Sequence, residues 1–400
     1  MQALPGIRVL DLTQIMAGPF CTMLLADLGA TVIKIERPDG GDDARRMGFP
    51  IDPGKHESLS FIAMNRNKYG IAVDIRTDGG KVILRKLIET ADVLVENFRP
   101  GTMPRLGFSY EDTRQINPAL IYCSISAFGQ TGPLADRGGF DLVAQALSGV
   151  ISVTGTPDHP AKCGVPISDL NAGLLASHAI LAALVYRTKT GEGQYIDTSL
   201  LEGALAYTIW ESNEYWATGK PPVGLGTAHR NSAPYQTFRT ADGAVAIGAA
   251  NQNNWLRLIR ALNVETLKDD PRYTTNAQRR KNQKALEEDL MPIFAQRTTS
   301  DWVRVLEEAG VPAGPVLTID EVYAHPQIQA REMELTYNHP VAGPVHSIGM
   351  PVKMSKTPAT LTRPAPMLGQ HTRRVLLDMG FTEDECRSWE KSGVILALAD

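Results

Sequence analysis

Short apolar runs alternate with an amphipathic stretch in the N-terminal part of the chain. Residues 7–12 and 31–36 are rich in Val, Ile and Leu and predict buried strands, while residues 20–28 carry apolar side chains at helical spacing. Gly29 follows that stretch, as glycine commonly does at the end of a helix. A strand, a helix and a second strand within about thirty residues form a βαβ unit, in which the two strands run parallel.

The same alternation continues further along the chain. Strands are predicted at 70–75, 92–97 and 120–125, with a helix at 80–90 and a short one near Met103. This alternation indicates an α/β fold with a doubly wound, mostly parallel, Rossmann-like sheet that carries helices on both faces. Ligands of such sheets bind beyond the carboxyl ends of the strands, so the residues that follow each strand are the first candidates for a site.

A change of pattern after residue 219 predicts a second, smaller α+β domain. Residues 220–226 are rich in Pro and Gly, as linkers and loops are, and a hairpin signal follows at 235–248. Helical stretches come next, at 254–262, 276–296 and 299–309. The predicted ranges are a large α/β domain at 1–219, a small α+β domain at 220–330 and a return to the large domain at 331–400.

The charge balance argues against nucleic acid as a partner. Lys and Arg number 40 and Asp and Glu 44, for a formal net charge of -4, whereas proteins that bind phosphate backbones normally carry a strong basic surplus. With 43% apolar and 21% charged residues, the 400-residue chain has ordinary globular composition and is long enough for two domains. A disordered chain, a fibre and a coiled coil are thereby excluded.

Neither a membrane span nor a targeting segment is predicted. The longest near-apolar run, 174–186, is shorter than the roughly 20 residues that cross a bilayer, and no cationic start precedes an apolar block at the N-terminus. Cys21, Cys123, Cys163 and Cys386 lie far apart without CxxC spacing, which disfavours disulfides and a structural zinc site. We therefore expect reduced thiols in a cytoplasmic protein.

Several common enzyme fingerprints are missing from the sequence. No GxGxxG follows the first strand, and the patterns GxxxxGK[ST], HExxH and GxSxG do not occur. Dinucleotide binding, P-loop phosphoryl transfer and two common hydrolase classes are therefore disfavoured. No two histidines have the i, i+4 spacing of a helical metal site, and neither a metal nor a tightly bound cofactor is predicted.

Asp169 and a set of arginines are the candidates for chemistry. Asp169 stands immediately before a predicted long helix, where a carboxylate accepts backbone N–H groups and meets the positive end of the helix dipole. Such a residue either only caps the helix or acts as a carboxylate nucleophile near the strand ends. Arg37, Arg76 and Arg105, with Arg99 nearby, lie at the strand ends. They are either solvated surface residues or a rim that binds a polyphosphate, because the planar guanidinium stays charged and forks onto phosphate.

These candidates belong to an ordered series of motifs. The motifs are VLDL at 9–12 with AGP at 17–19, LGA at 28–30 leading into VIKIER at 32–37, NRNK at 65–68, VENFRPG at 95–101, SAFGQTGP at 126–133, KTGEGQ at 189–194 and LGQHT at 368–372. Through them the chain resembles the class III CoA-transferases, the CaiB/BaiF type, over nearly its whole length.

The resemblance implies a role for Asp169 and a set of CoA contacts. In that family the Asp of the motif matching 168–170 is the nucleophile, which attacks an acyl-CoA to give a mixed anhydride and then an aspartyl-CoA thioester. The implied CoA contacts are Ile15, Met16, Arg37, Val73, Arg76, Asn97, Phe98, Arg105, Arg137 and Phe140. The family's flexible lid falls at 224–232, where the implied substrate contacts are Gly226, His229, Arg230 and Asn231. The sequence departs from the family at this lid, because it lacks the glycine run.

The resemblance also implies the substrates and the assembly. Residues 226–238 look like the branch that uses dicarboxylates such as glutarate with succinyl-CoA as donor, so that Arg230 or His229 would hold the distal carboxylate. CoA and acyl-CoA are then substrates, and the implied assembly is a homodimer whose two chains interlock.

Two other functions stay open. Acyl-CoA racemases resemble this chain and keep the Asp, but they need the His of a Gly-His-Asp motif as a second base. The matching triplet here is Gly139-Phe140-Asp141, and phenylalanine cannot exchange a proton. The other alternative is a non-catalytic CoA-binding module, against which the presence of Asp169 argues.

Overall fold

The structure, a computed structural model, describes residues 2–52 and 57–398 and divides into two compact units. Unit 1 consists of the described residues up to Val150, Cys163–Ser212 and the residues from Gln327 onward, and unit 2 of Ile151–Lys162 and Asn213–Pro326. Residue 1, residues 53–56 and residues 399–400, which the predicted ranges 1–219 and 331–400 include, lie outside the described residues.

The strands of the described residues follow here in chain order. They are β1 (Arg8–Asp11), β2 (Thr31–Glu36), β3 (Pro50–Asp52), β4 (Glu57–Ser58), β5 (Tyr69–Val73), β6 (Val93–Glu96), β7 (Ile121–Ser126), β8 (Gly155–Thr156), β9 (His159–Pro160), β10 (Tyr195–Ser199), β11 (Tyr235–Arg239), β12 (Ala244–Gly248), β13 (Ala313–Pro315), β14 (Glu334–His339), β15 (Gly343–Ile348) and β16 (Ile395–Leu396).

The helices are given in the same way. They are α1 (Ala17–Asp27), α2 (Leu59–Asn65), α3 (Asp78–Glu89), α4 (Thr102–Leu106), α5 (Tyr110–Ile116), α6 (Asp141–Leu147), α7 (Val150–Val153), α8 (Ile167–Thr190), α9 (Leu200–Leu205), α10 (Ile209–Thr218), α11 (Gln252–Ala261), α12 (Asn276–Lys281), α13 (Gln283–Phe294), α14 (Thr299–Glu308), α15 (Ile319–Ala324), α16 (Pro326–Ala330), α17 (Thr372–Asp378) and α18 (Glu383–Lys391). Short 3₁₀ helices occur at Asp43–Arg46, Ala206–Thr208 and Glu265–Lys268.

Unit 1 is built on a seven-stranded sheet in the order β10-β7-β6-β1-β2-β5-β16. All neighbouring pairs are parallel except β16 with β5, and β1 pairs with β2 in the register Val9↔Val32. The predicted βαβ unit and the mostly parallel sheet are therefore confirmed. Strand β7 is buried along its whole length, as expected for a parallel sheet that is covered on both faces.

Each face of this sheet has its own hydrophobic core. One core joins Leu10, Ile33 and Leu94 to helices α3, α17 and α18, and the other joins their neighbours Val9 and Val32 to helices α1 and α8. Successive side chains of a strand point to opposite faces, so the continuous apolar runs in the sequence supply both cores. This is the doubly wound arrangement.

Helices α1 and α8 pack closely in the second of these cores. A Cβ at Gly173 of α8 would lie 2.4 Å from the backbone oxygen of Ala17, so a side chain there would force the two helices apart. By length and composition α8 would also suffice to cross a membrane, but half of its most apolar window is buried inside the protein. Helices in the core of a soluble protein can also combine this length and apolar composition with burial.

Unit 2 contains the antiparallel sheet β11-β12-β13. Its core gathers Phe238 and Phe294 with Trp255 and Trp302, all of which are buried. The predicted hairpin at 235–248 is confirmed, but the helix predicted at 276–296 is divided at Asn282 into α12 and α13.

Three further features were not predicted from the sequence. Segment 151–162 belongs to unit 2, because the hairpin β8–β9 contacts the 224–226 loop, where the Gly226 N–H donates to the Gly155 oxygen. The hairpin β14–β15 was not predicted, and neither was β16, which pairs with β5 at the edge of the large sheet.

Of the cysteines, none forms a disulfide, and Cys163 alone is not buried.

Candidate functional site

A cavity of about 500 Å³ in unit 1 brings Asp169 together with six of the ten residues that the sequence singled out as CoA contacts. It lies at the carboxyl ends of β1, β6 and β7 and the N-terminus of α8. Its lining includes Ile15, Met16, Asn97, Phe98, Arg137, Phe140 and Asp169. Arg99, which the sequence placed with the candidate arginine rim, also lines it, as does Gln14, which was not among the predicted contacts.

A second cavity of about 190 Å³ lies beside the first at the same edge of the sheet. Arg37, Val73 and Arg76 line it, and Gln14 and Phe98 line both cavities. The predicted contacts in the second cavity thus adjoin those in the first through these two shared lining residues. Arg37 pairs with Asp43 and Arg76 with Asp74, at 2.8 Å for the second pair, and Arg37 is half-buried whereas the Arg76 side chain is solvent-exposed.

Arg105 stands apart from these groups. It lines neither of the two cavities, although Thr102 and Leu106 of the same helix α4 line the second. Its exposed guanidinium donates to the Thr102 hydroxyl at 3.1 Å.

Asp169 lies inside α8, in its first turn, and not immediately before the helix as predicted, so the alternative in which it only caps the helix is wrong. The helix begins at Ile167, two residues earlier, and no side chain of the preceding Pro166 caps it. Asp141 of α6 takes that place, because its Oδ1 accepts the Ser168 N–H at 3.0 Å. The Asp169 carboxyl is thereby left to line the cavity.

The surroundings of Asp169 favour its neutral form more than water does. Burial, and after it the charge of Asp141, raise the pKa of the Asp169 carboxyl to about 6. A carboxylate with a raised pKa is a stronger base, and by the same cause a stronger nucleophile, than an ordinary Asp. At neutral pH it is still mostly ionised, since about one pH unit separates the two values.

Side chains from three other elements fix the loop between β1 and α1. The Asn97 amide brackets Gln14, accepting from its N–H and donating to its oxygen, both at 2.8 Å. Asp42 accepts the Ile15 N–H at 2.9 Å, and Lys34 donates to the Thr13 oxygen at 2.8 Å. Ile15 has φ 68, a conformation that a β-branched residue adopts only when its surroundings impose it.

Two buried ion pairs involve the residues that hold this loop or precede it. Asp11 pairs with Lys68 at 2.9 Å and Asp42 with Lys34 at 3.0 Å, and all four side chains are fully buried. Burial would raise the pKa of Asp11, but Lys68 and Lys34 hold it well below its usual range. Sequence reasoning missed this cluster. The available signal was the charged residue inside each apolar strand, Asp11 in VLDL and Lys34 in VIKIE.

The predicted lid contacts Gly226, His229, Arg230 and Asn231 lie in unit 2. Arg230 forms an ion pair with Glu214 at 2.8 Å and also donates to the Val223 oxygen. The His229 ring stacks on Tyr235 with ring centres 4.8 Å apart, and its Nδ1 accepts the Asn231 N–H at 3.1 Å. Gly226 has φ 63, which glycine adopts without strain.

A metal site is not apparent in the described part of the chain. Between residues 2 and 52 and between 57 and 398, no group of three or more His, Cys, Asp or Glu side chains is placed to hold a metal ion. The cavity around Asp169 is lined by two arginines and uncharged groups besides the one carboxyl. Such a lining suits an anionic ligand.

Known proteins match this chain over nearly its full length. Residues 4–372 match the family model described as CoA-transferase family III. Succinyl-CoA:glutarate CoA-transferase of Mus musculus is 41% identical over 99% of this chain and 91% of its own length, and succinate--glutarate CoA-transferase of Agrobacterium fabrum is 39% identical over 94% and 95%.

The solved structures agree with the sequence comparison. The crystal structure of a CAIB/BAIF family protein from Brucella suis superposes with a TM-score of 0.85 at 38% identity, covering 94% of this chain and 99% of that one. The sequence comparison and the structural comparison therefore point to the same family. This chain belongs to CoA-transferase family III.

Proposed function

We propose that this enzyme moves CoA from succinyl-CoA to a dicarboxylate such as glutarate, with Asp169 as a covalent nucleophile. The substrates are supported by the names of the relatives from Mus musculus and Agrobacterium fabrum, each similar to this chain over nearly its full length. The observation that carries the mechanism is the position of Asp169. Its carboxyl lines a cavity together with most of the residues expected to contact CoA.

The first half-reaction activates the acyl group of the donor. The Asp169 carboxylate attacks the thioester carbonyl, the C–S bond breaks, and CoA leaves as a thiolate with the bonding electrons. The product is a mixed anhydride between Asp169 and succinate. The thiolate then attacks the aspartyl carbonyl, which releases succinate and leaves Asp169 as a thioester of CoA.

The second half-reaction reverses these steps with the acceptor. The acceptor carboxylate attacks the aspartyl thioester and displaces the thiolate, and the thiolate then attacks the acceptor side of the new anhydride. Acceptor-CoA forms and the free Asp169 carboxylate returns. Because every intermediate is an acyl derivative of comparable energy, the exchange needs no ATP.

Each of these attacks passes through a tetrahedral oxyanion that needs hydrogen-bond donors. Met16 and Ala17 line the cavity with Asp169, and within the described residues neither of their N–H groups has an acceptor. The bonds from Asn97 and Asp42 to the preceding Gln14 and Ile15 hold this stretch of backbone in place. We assign these two N–H groups to the oxyanion.

CoA binding is proposed along the two adjoining cavities of unit 1. The thioester end would lie by Asp169, Ile15 and Met16, with Asn97, Phe98, Arg137 and Phe140 around the arm of the molecule. The nucleotide end would lie by Arg37, Val73 and Arg76, with Arg105 nearby on α4. Arginine side chains at that end suit the phosphates of CoA.

The acceptor's second carboxylate is assigned to the predicted lid. Arg230 or His229 would bind it by a charge-assisted hydrogen bond, beside Gly226 and Asn231. The ion pair of Arg230 with Glu214 bears on this assignment, since a substrate carboxylate would compete with Glu214 for the same guanidinium. A Glu214→Gln change is therefore expected to favour dicarboxylate binding.

The two alternatives have less support. A racemase would need a base at position 140, where the chain has Phe, an exposed side chain that also lines the Asp169 cavity. A non-catalytic CoA-binding module would not need a carboxyl with a raised pKa in that cavity. We further propose that the enzyme is a cytoplasmic, interlocked homodimer that takes no nucleic acid or membrane as a partner.

A trapping experiment tests the mechanism and a substrate panel tests the specificity. Protein incubated with succinyl-CoA and then treated with hydroxylamine should carry a hydroxamate on the peptide containing Asp169, as read by mass spectrometry. A panel of mono- and dicarboxylic acids, with the CoA products separated by chromatography, identifies the acceptor. An unmodified Asp169 peptide together with intact CoA binding would instead favour the binding module.

A further inference from the structure

We propose that Gln145 is a positioning residue for the nucleophile, which it holds in its reactive setting through Asp141. The inference rests on the proposed function, because it takes Asp169 to be the group that attacks the thioester. It adds a residue that contacts neither the cavity nor any substrate assigned above. Gln145 is fully buried in α6, whereas Asp169 lines the cavity.

Both polar atoms of the Gln145 side-chain amide are hydrogen-bonded, one within α6 and one to the segment that precedes α8. Its Nε2 donates to Asp141 Oδ2 at 2.7 Å, and its Oε1 accepts the Cys163 N–H at 2.8 Å. Asp141 uses its other oxygen for the Ser168 N–H at 3.0 Å. A chain of hydrogen bonds thus runs from Gln145 through Asp141 to the residue directly before Asp169.

Amide N–H groups alone hold the Asp141 carboxylate. Within residues 2–52 and 57–398, no Lys or Arg forms an ion pair with it. Its negative charge is therefore not neutralised locally and acts on Asp169, where it adds to the effect of burial on the pKa. Removal of the Gln145 donor would leave a half-buried carboxylate with one hydrogen bond, which favours its rotation away from Ser168.

Other charged groups face Asp169 from the elements around it. Arg99 and Arg137 come from loops that line the cavity, while α1 and β7 contribute uncharged residues there. Glu202 of α9 is hydrogen-bonded to the Ser199 hydroxyl at 2.7 Å. Asp141 is the charge that raises the Asp169 pKa, and Gln145 is the residue that holds it.

This arrangement has a consequence for the covalent steps. Two neighbouring carboxylates repel each other, and conversion of Asp169 to an anhydride or a thioester removes one of the two charges. Asp141 therefore favours the covalent intermediates over the free carboxylate. Gln145 preserves that effect by keeping the Asp141 carboxylate directed at the N-terminus of α8.

The test is the pH dependence of covalent labelling of Asp169 by succinyl-CoA in the full-length protein. For Gln145→Leu we expect the acid midpoint to fall from about 6 by roughly one pH unit and labelling at pH 7.5 to slow about tenfold. For Gln145→Glu, an almost isosteric change, the introduced carboxyl can donate to Asp141 only when protonated. Its labelling should therefore recover relative to wild type as the pH falls.

Two further variants separate positioning from general destabilisation. Asn171→Leu removes another buried amide hydrogen bond from α8, to the Gly203 oxygen at 2.6 Å, without touching Asp141, and should keep the wild-type midpoint. Asp141→Asn should shift the midpoint by itself, and Gln145→Leu added to it should cause no further shift. That result is expected only if Gln145 acts through Asp141.

The failures of the two proposals are distinguishable. Labelling of wild type with the same midpoint in Gln145→Leu and Gln145→Glu would overturn the role of Gln145 and leave the nucleophile intact. A further shift on adding Gln145→Leu to Asp141→Asn would likewise overturn it. A wild-type protein that binds succinyl-CoA and never labels Asp169 would overturn both.

Discussion

Asp169 combines two properties that the proposed acyl transfer requires of its nucleophile. It lines the cavity, and its backbone lies within the first turn of α8, where helix geometry fixes the direction of the side chain. The Ser168 N–H that an Asp at the cap would have bound is taken by Asp141. Its oxygens are therefore available for bond formation.

Replacement of this carboxyl should abolish CoA transfer without unfolding the chain. For Asp169→Asn we expect turnover to fall at least about a thousandfold, because an amide cannot form the anhydride, while CoA still binds. Steady-state assays and calorimetric titration with CoA measure the two effects. Asp78→Asn, in the first turn of α3, is the matched control and should keep full activity. Turnover by Asp169→Asn at the wild-type rate would contradict the mechanism.

The pH dependence of the reaction should report the same carboxyl. In the proposed mechanism the attacking group is the carboxylate, so kcat/KM for succinyl-CoA should be level above neutral pH and fall as the pH drops through about 6. The direction follows from the raised pKa, because protonation removes the nucleophile at a higher pH than for an ordinary Asp. A profile that stays level down to pH 4.5 would show that the pKa is not raised.

At the scale of elements, Asn97 connects two loops that line the cavity. Its amide makes two hydrogen bonds to the backbone of Gln14 and is thus occupied within the protein. Asn97→Ala should raise the KM for acyl-CoA about tenfold, since the β1–α1 loop loses both bonds at a position next to the strained Ile15.

A matched asparagine controls for the loss of stability. The Asn117 amide donates to the oxygens of Ile88 and Ala91 at 3.0 and 2.8 Å, away from the cavity. Asn117→Ala should lower the unfolding temperature to a similar degree and leave KM unchanged. Equal effects of the two substitutions on KM would mean that Asn97 has no special role in the site.

The contact of α1 with α8 should depend on Gly173. In Gly173→Ala the added methyl would lie 2.4 Å from the Ala17 oxygen, and backbone at this distance cannot yield as a flexible side chain can. We expect the free energy of unfolding to fall by about 1–3 kcal/mol, as for other overpacked cores. Denaturant unfolding measures this, with Gly164→Ala as the comparison for the loss of a glycine, since an added Cβ at Gly164 has no other atom within 4 Å and its φ is not positive. No loss of stability in Gly173→Ala would show that the helices can separate freely.

The sequence was sufficient for elements whose side chains are buried on both faces of a sheet. β2 was predicted at its observed bounds, because a run such as VIKIE has few other environments. The hairpin β14–β15 was missed because its strands consist mostly of exposed and half-buried residues and include charged ones. Its pairing depends on residues that no local pattern identifies.

The candidate site was predictable only in part. The family motifs pointed to Asp169 and to most of the cavity lining, but not to the groups that act on Asp169. Asp141 and Gln145 belong to another helix, α6, and their contact with α8 depends on tertiary packing. In the same way, the Asp11 and Lys34 side chains meet because β1 and β2 pair in that register. A single strand does not contain that information.

At the scale of the whole molecule, unit 1 exposes several large apolar side chains on α8 and on residues 205–210. On α8 they are Leu174, Leu175, Val185 and Tyr186, and between residues 205 and 210 they are Leu205, Tyr207, Ile209 and Trp210. Exposed apolar side chains on this scale mark surfaces that contact another protein. A second copy of the chain would cover them in the proposed homodimer.

A charge placed on this surface should therefore weaken the dimer. In Val185→Arg, at a position of α8 that is 59% exposed in the single chain, a guanidinium would have to be desolvated at the interface, which raises the dissociation constant at least about tenfold. Val82→Arg is the control, since Val82 on α3 is similarly exposed, at 53%, and lies on a different helix outside this surface. Sedimentation velocity over a range of protein concentrations measures the dissociation constants, and circular dichroism checks that both variants are folded. A wild-type chain that sediments as a monomer at every concentration would contradict the proposed assembly, and equal effects of the two substitutions would place the interface elsewhere.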